Sequence, residues 1–419
     1  MTVNGRKYRL PPHPVAVICL DGCADEYLTT ASTHRGMPNL ERISQTGYRG
    51  LARGALPSFT NVNNCSIITG TPPAQTGISG NYVIDPGSGM EVMLNEPGFL
   101  RNTTLLSEAA RAGRKVAMVT AKEKLRRLLA KDLQGIAFSS EKASEATKTE
   151  NGIGGLEALF GNTPDIYSGE ASLYVLRAGI HLIEQQLADF LYLTTTDFMQ
   201  HRYPPEAPEM LNYHEKMDTL LGRLADTGAV IGITADHGMN AKSGPDGRPN
   251  AIFLESLLQE EFGPGFKVIC PITDPYVVHH GAMGSAVMVY CPKNAPHDQV
   301  EAWICNLPGV TEVHDAESAV SKLELPADRM GDFVVLSGRD HVIGRTKADH
   351  DLSQLRGPLR SHGGRYEEMV PFILSHPLTD RHQVLASQDP RNFDIFDFVC
   401  NGTELATPVE NQPIHGKGT

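Results

Sequence analysis

The sequence predicts an α/β protein in which a mostly parallel central sheet, flanked by helices, carries a smaller inserted α+β cap domain. Two observations predict the core. Short apolar runs alternate with helical patterns, the signal of parallel strands joined by crossover helices. Each run is four to six residues long and almost free of charge, as strands covered on both faces must be. A third observation predicts the cap: the stretch from Gly263 to Asp351 breaks the alternation before the last run arrives.

Val15 to Leu20 is the first strand. Pro57 then precedes Thr60 and Asn61, which open a helix expected over Asn61 to Thr69. Val116 to Thr120 and Phe190 to Leu193 follow as strands. Leu211, Met217, Leu220, Leu221 and Leu224 recur at helical spacing and Gly228 stops them, the pattern of a plain amphipathic helix. Val230 to Thr234 is the fourth strand. In the expected insertion, PITDPYVVHHGAMGSAVMVYCP, AWICNLPGVTEVHDAESAV and MGDFVVLSGRD read as short strands and a helix. Val370 to Leu374 completes the sheet, which assigns residues 1–262 and 352–419 to the core and 263–351 to the cap. Two domains also suit a chain of 419 residues, because one core rarely serves more than about 250–300. The tail beyond Thr403 is rich in Pro, Gly and Asn and is expected to be poorly ordered.

With 37 Lys and Arg against 49 Asp and Glu, the formal net charge is −12, and no long basic run occurs. Nucleic acids and anionic membrane surfaces demand concentrated cations, so neither is an expected partner. No apolar run reaches the roughly 18 residues that a membrane helix needs, and the N-terminus lacks a secretory leader. A soluble, cytoplasmic protein is therefore expected. The seven cysteines are scattered and form no C-x-x-C pair, which points to thiols rather than disulfides. A homodimer is compatible with these features, and none of them specifies it.

In open α/β sheets the ligand crevice lies at the carboxyl ends of the strands, and there this chain concentrates Asp and His. Asp21 follows the first strand, Asp197 and His201 the third, Asp236 and His237 the fourth, and His362 precedes the last. Singly, each has a plain reading: Asp21 as a helix N-cap, His362 as a hydrogen-bonded surface residue. Together, three aspartates on one rim would repel one another unless cations paired them. Mixed oxygen and nitrogen donors suit Zn²⁺ better than Mg²⁺ or Ca²⁺. Asp197 and His201 are one helical turn apart and with His362 would hold one ion; Asp21, Asp236 and His237 would hold a second. Thr60, at the start of its helix, would face the metals. Its hydroxyl is a weak nucleophile alone, and bound to Zn²⁺ it ionises near neutral pH; its plain reading is an N-cap. His279, His280 and the His341 to Asp351 stretch read as structural or rim residues of the cap.

The segments LDG at Leu20 to Gly22, PSFTN, the later TGISGN, TTTDFMQH, TADHGM and SHGG occur in this order. In that order they resemble the alkaline phosphatase superfamily, in particular its nucleotide pyrophosphatase/phosphodiesterase-like branch. The resemblance implies an alkaline phosphatase-like core, two zinc ions held as above and Thr60 as the residue transiently phosphorylated. Two departures narrow it. PAQTGISGN has Gln and Thr where phosphodiesterases usually carry a His before Gly-Ile, and the sulfatase Cys-x-Pro-x-Arg signature is absent, which disfavours sulfate esters.

Within that branch, Thr60, Asn81 and the TAKEKL segment with Lys122 and Lys124 resemble the members that hydrolyse the carbon–phosphorus bond of phosphonoacetate. The lysines follow the strand KVAMVT and project onto the zinc rim; alone, with Arg126 and Arg127 behind them, they read as a solvated basic helix start. Cleaving a carbon–phosphorus bond expels a carbanion. A carboxylate on that carbon delocalises the electron pair as an enolate-like dianion, and ammonium groups on the carboxylate stabilise it. An alkoxide leaving group has no such need. The implied reaction sends Thr60 onto phosphorus, with Asn81 on the phosphoryl oxygens and both lysines on the carboxylate, and releases acetate and then phosphate. The alternatives are a phosphodiesterase or nucleotide pyrophosphatase using the same zinc centre, and a non-catalytic zinc protein. Structural zinc sites are usually closed and cysteine-rich, whereas no Cys joins this set.

Overall fold

A computed structural model describes residues 1–273, 279–353, 355 and 357–404. In chain order the strands of its two main sheets begin with β1 (Val15–Cys19), β2 (Tyr48–Arg53), β3 (Val116–Thr120), β4 (Ile136–Ser139), β5 (Phe190–Thr194) and β6 (Val230–Thr234). The chain then lays down β7 (Lys267–Ile269), β8 (Ala286–Tyr290), β9 (Val310–Asp315) and β10 (Phe333–Ser337), and returns with β11 (Met369–Leu374). The central sheet runs β2-β11-β6-β1-β5-β3-β4. From β6 to β4 every pairing is parallel, and β11 runs antiparallel to both β6 and β2. This is the expected mostly parallel core, with β2 and β4 as further edge strands.

Every residue of β1, β3, β5 and β6 is buried, because helices cover both faces. Side chains alternate with the period of two that a strand imposes. Val15, Val17, Phe190, Tyr192 and Val230 pack toward α1 (Thr60–Thr69); Ala16, Ile18, Leu191, Leu193 and Ile233 pack toward α2 (Gly169–Glu184). After the short α3 (Phe198–Arg202), α4 (Pro208–Asp226) joins the same layer through Leu211, Met217, Leu220, Leu221 and Leu224. Pro208 opens α4 where a missing N–H costs nothing. α1 starts at Thr60, one residue before its expected start.

Register is what positions the site. Thr234, Cys19 and Thr194 are cross-strand partners, and Thr194 also pairs with Thr120. Four parallel strands therefore end flush, and Asp236, Asp21, Asp197 and Lys122 emerge from them two or three residues later at one level.

The second sheet, order β7-β8-β10-β9, is antiparallel throughout. Val268, Val287, Val289 and Val335 join it to the core layer that holds α1. All seven cysteines are free thiols, five of them buried. Among the described residues no helix is long and apolar enough to cross a membrane. The expectation for the tail falls, from residue 405 on, outside the described residues.

Candidate active site

Asp21, Asp197, His201, Asp236, His237 and His362 are all buried at the flush strand ends. Asp197 Oδ2 lies 3.0 Å from His201 Nε2 and 3.7 Å from His362 Nε2. His237 Nε2 lies 3.3 Å from Asp21 Oδ1 and 3.7 Å from Asp236 Oδ2. α3 accounts for the first pair: Asp197 is its N-cap and His201 is one turn on. Gly22 accounts for the close approach of β1 to β5. Its φ is +72°, and a Cβ there would lie 2.8 Å from Asp197 Cβ, so only glycine lets Asp21 and Asp197 share the rim.

The imidazoles are arranged as metal ligands are. Nδ1 of His201, His237 and His362 each lies 2.8 Å from a backbone carbonyl, of Arg360, Gly238 and Ser58 respectively. With Nδ1–H donated there, each Nε2 carries a lone pair facing the carboxylates. A lone pair opposite a carboxylate oxygen calls for a cation or a proton between them. Asp21 Oδ1, buried and without a hydrogen-bond partner among the described residues, is another unfilled acceptor at the same place. Two groups of donor atoms lie close enough to grip an ion each: Asp197 with His201 and His362, and Asp21 with Asp197 and His237. Asp236 stands beside the second group, its Oδ1 accepting from Gly22 N and His237 N at 3.2 and 3.0 Å. This donor set fits divalent metal ions.

The charges pull against one another. Burial and repulsion from Asp21 push Asp236 up to about 7. Burial opposes the charge on His237, yet Asp236 and Asp21 outweigh it and push the imidazole up to about 9. Burial, with His237 and His201 alongside, holds His362 well below the usual imidazole range. Lys122 offsets part of the acidity: its Nζ donates to Asp21 Oδ2 and Asp197 Oδ1, both at 2.8 Å. Burial works against both Lys122 and Asp197, and their pairing prevails, raising the ammonium's pKa and holding the carboxyl well below its usual range.

Thr60 is the buried first residue of α1, its Oγ1 3.4 Å from His237 Nε2. Asn64, one turn on, was not singled out in the sequence. Its Oδ1 accepts from the Tyr192 hydroxyl at 2.6 Å, which orients its Nδ2 to donate to Thr60 O and Asp236 Oδ2 at 3.0 and 3.1 Å. Asn81 Oδ1 accepts the Asn61 N–H at 3.0 Å, leaving Nδ2 as its donor. Thr60, Asn81, Lys122, Lys124, Asp197, His201 and His362 line one cavity of about 510 Å³. Met93, Ile166, Tyr167, Phe198 and Ile272 add apolar wall. His279 and His280, expected as structural or rim residues, also line it, with ring centroids 4.4 and 5.3 Å from that of His201.

The family model for type I phosphodiesterase/nucleotide pyrophosphatase matches residues 15–365. Phosphonoacetate hydrolase from Sinorhizobium meliloti 1021, solved with phosphonoacetate and with phosphonoformate, is 44% identical and superimposes with a TM-score of 0.90 over 95% of this chain and 98% of that one. Murine ectonucleotide pyrophosphatase/phosphodiesterase 5, solved with AMP, shares the fold at 16% identity and a TM-score of 0.63, over 94% and 97% of the two chains.

Proposed function

Because the chain belongs to the type I phosphodiesterase/nucleotide pyrophosphatase family and is a hydrolase, we propose that it cleaves the carbon–phosphorus bond of phosphonoacetate through a phosphothreonine intermediate. The observation that carries this reading is the pairing of Lys122 and Lys124 with Thr60 around one cavity. The 44% identity to a phosphonoacetate hydrolase supports it.

Asp197, His201 and His362 would hold one zinc ion, and Asp21, Thr60, Asp236 and His237 the other. Bound zinc supplies the Lewis acidity that ionises a hydroxyl or water near neutral pH and offsets phosphoryl charge. The chain's own groups do the rest. The N-terminus of α1, where Thr60 stands, presents the positive end of the helix dipole to the anion that Thr60 attacks. Asn81 Nδ2 donates to a phosphoryl oxygen. As Thr60 Oγ1 bonds to phosphorus, the carbon–phosphorus electron pair moves into the substrate carboxylate, where Lys122 and Lys124 stabilise it. Acetate leaves in its enolate form and takes a proton from solvent. Water then hydrolyses phospho-Thr60 and releases phosphate. Residues 1–262 and 352–419 serve as the catalytic core, and 263–351 as a cap that brings His279 and His280 to the cavity.

The apolar wall of Met93, Ile166, Tyr167 and Phe198 favours one second reading, hydrolysis of phosphodiesters with a bulky leaving group. Phosphate release from phosphonoacetate, measured beside hydrolysis of an aryl phosphodiester with metal analysis on the same sample, separates the two. Faster turnover of phosphonoacetate is expected, and an overwhelming diester preference overturns the proposal.

A further inference from the structure

Behind the candidate metal ligands, a fully buried ion pair joins the two loops that carry His237 and His362. Lys242 Nζ and Glu367 Oε1 are 2.8 Å apart, and both side chains have no exposed surface. A buried ion pair is a weak source of net stability, since apolar replacements are often neutral or stabilising. Its geometry offers a different use. Glu367 Oε2 accepts the N–H of Gly364, two residues after His362, at 3.0 Å. The Glu367 carbonyl accepts the N–H of Gly238, the residue after His237, at 2.7 Å. Oε1 accepts from Asn240 Nδ2 at 2.6 Å as well as from Lys242. Lys242 is itself fixed by donating to the Arg339 carbonyl at 2.6 Å. One carboxylate and one carbonyl of a single residue thus clasp both histidine loops.

The clasped rings are in contact. His237 and His362 stack with centroids 3.5 Å apart and planes 7° from parallel. Their loop has no slack: Gly363 has φ +120°, and a Cβ there would lie 2.4 Å from the Phe59 ring. A shift of either loop would move one imidazole relative to the other and to the carboxylates beside their Nε2 atoms. We propose that Glu367, locked by Lys242, is a positioning residue that sets the spacing of His237 and His362 and thereby the affinity of the metal centre. This rests on the reading of both histidines as metal ligands.

The test measures zinc affinity by competition with a chelating dye, together with thermal unfolding, on Lys242→Met, Glu367→Gln and Asn240→Ser, with His362→Ala as reference. Outer partners of metal ligands typically set affinity by about 10- to 100-fold. A loss of that size in Lys242→Met and Glu367→Gln, with kcat recovered in excess zinc, is expected. A lowered Tm with zinc affinity unchanged would mark a merely structural pair and overturn the proposal. Should Lys242→Met fail to fold, Asn240→Ser decides, because it withdraws one bond from Glu367 and keeps the charge pair: weakened zinc binding supports the clasp, and unchanged binding overturns it. If His362→Ala retains both zinc ions at full affinity, the ligand reading itself fails. If His362→Ala loses zinc and the clasp variants do not, only the clasp fails.

Discussion

Replacing Lys122 with Met removes one ammonium from between two buried carboxylates and keeps much of the side chain's volume. Lys122 donates to Asp21 and Asp197 at 2.8 Å each, and breaking a buried pair by deleting one partner costs about 3–5 kcal/mol. Protonation caps that cost. At pH 7 a stranded aspartate, ordinarily titrating at 3.8, escapes by taking a proton at about 1.4 kcal/mol per pH unit, or about 4 kcal/mol in all. At roughly 2.1 cal/mol/K of unfolding entropy per residue, the 419 residues give about 0.9 kcal/mol/K, so a loss of about 3–4 kcal/mol lowers Tm by about 3–5 °C. The sign with pH follows from Asp197, whose carboxyl is held below its usual range. The stability it contributes is present above the unfolded value and lost only as pH falls through the folded one, so it is unchanged between pH 7 and 5. In the variant the stranded carboxyl's proton costs less as pH falls, and the deficit narrows toward pH 5, where the cap is about 2 kcal/mol. The assay is thermal unfolding of both proteins in a chelator and in saturating zinc. Bound zinc supplies the missing positive charge, so the deficit should appear in the chelator and largely close in zinc. An equal deficit in both, or none in the chelator, refutes the reasoning.

Thr60→Ala should abolish phosphonoacetate turnover with the fold intact by circular dichroism; full turnover would remove Thr60 as nucleophile. Lys124→Ala should lower kcat on phosphonoacetate by about 10²-fold, the scale of one lost transition-state donor, and leave aryl diester hydrolysis near its starting rate; unchanged phosphonoacetate kinetics would remove the leaving-group argument. In the metal-free protein the charge on His237 stabilises the fold fully below its unfolded value of 6.5, and that contribution is lost as pH rises through about 9. Zinc must displace that proton, so zinc affinity should climb from pH 6 to 9, and a pH-independent affinity over that range would exclude His237 from the ligand set.

What could be read in the sequence is what rests on local pattern. β1, β3, β5 and β6 are buried on both faces, so they are written as apolar runs, and the site residues follow them directly. β2, with sequence YRGLAR, hides because an edge strand can carry two arginines and a glycine, and β4 is only four residues long. Asn64 escapes notice because its orientation depends on Tyr192, 128 residues away. Lys242 and Glu367, 125 residues apart, look like ordinary surface charges until the fold buries them together. His279 and His280 lie in a turn, which no sequence periodicity aims, and their closeness to His201 emerges only in three dimensions.

The flush ends of four parallel strands also bear on when the site can exist. Its residues run from Asp21 to His362, and no fragment of the chain shorter than that span holds the full proposed ligand set. At roughly 5–20 residues per second of synthesis, Asp21 waits about 20–70 s for His362 to leave the ribosome. Through that interval the nascent chain carries aspartates and histidines with no common geometry, and metal capture becomes a late event that reports completion of the whole topology.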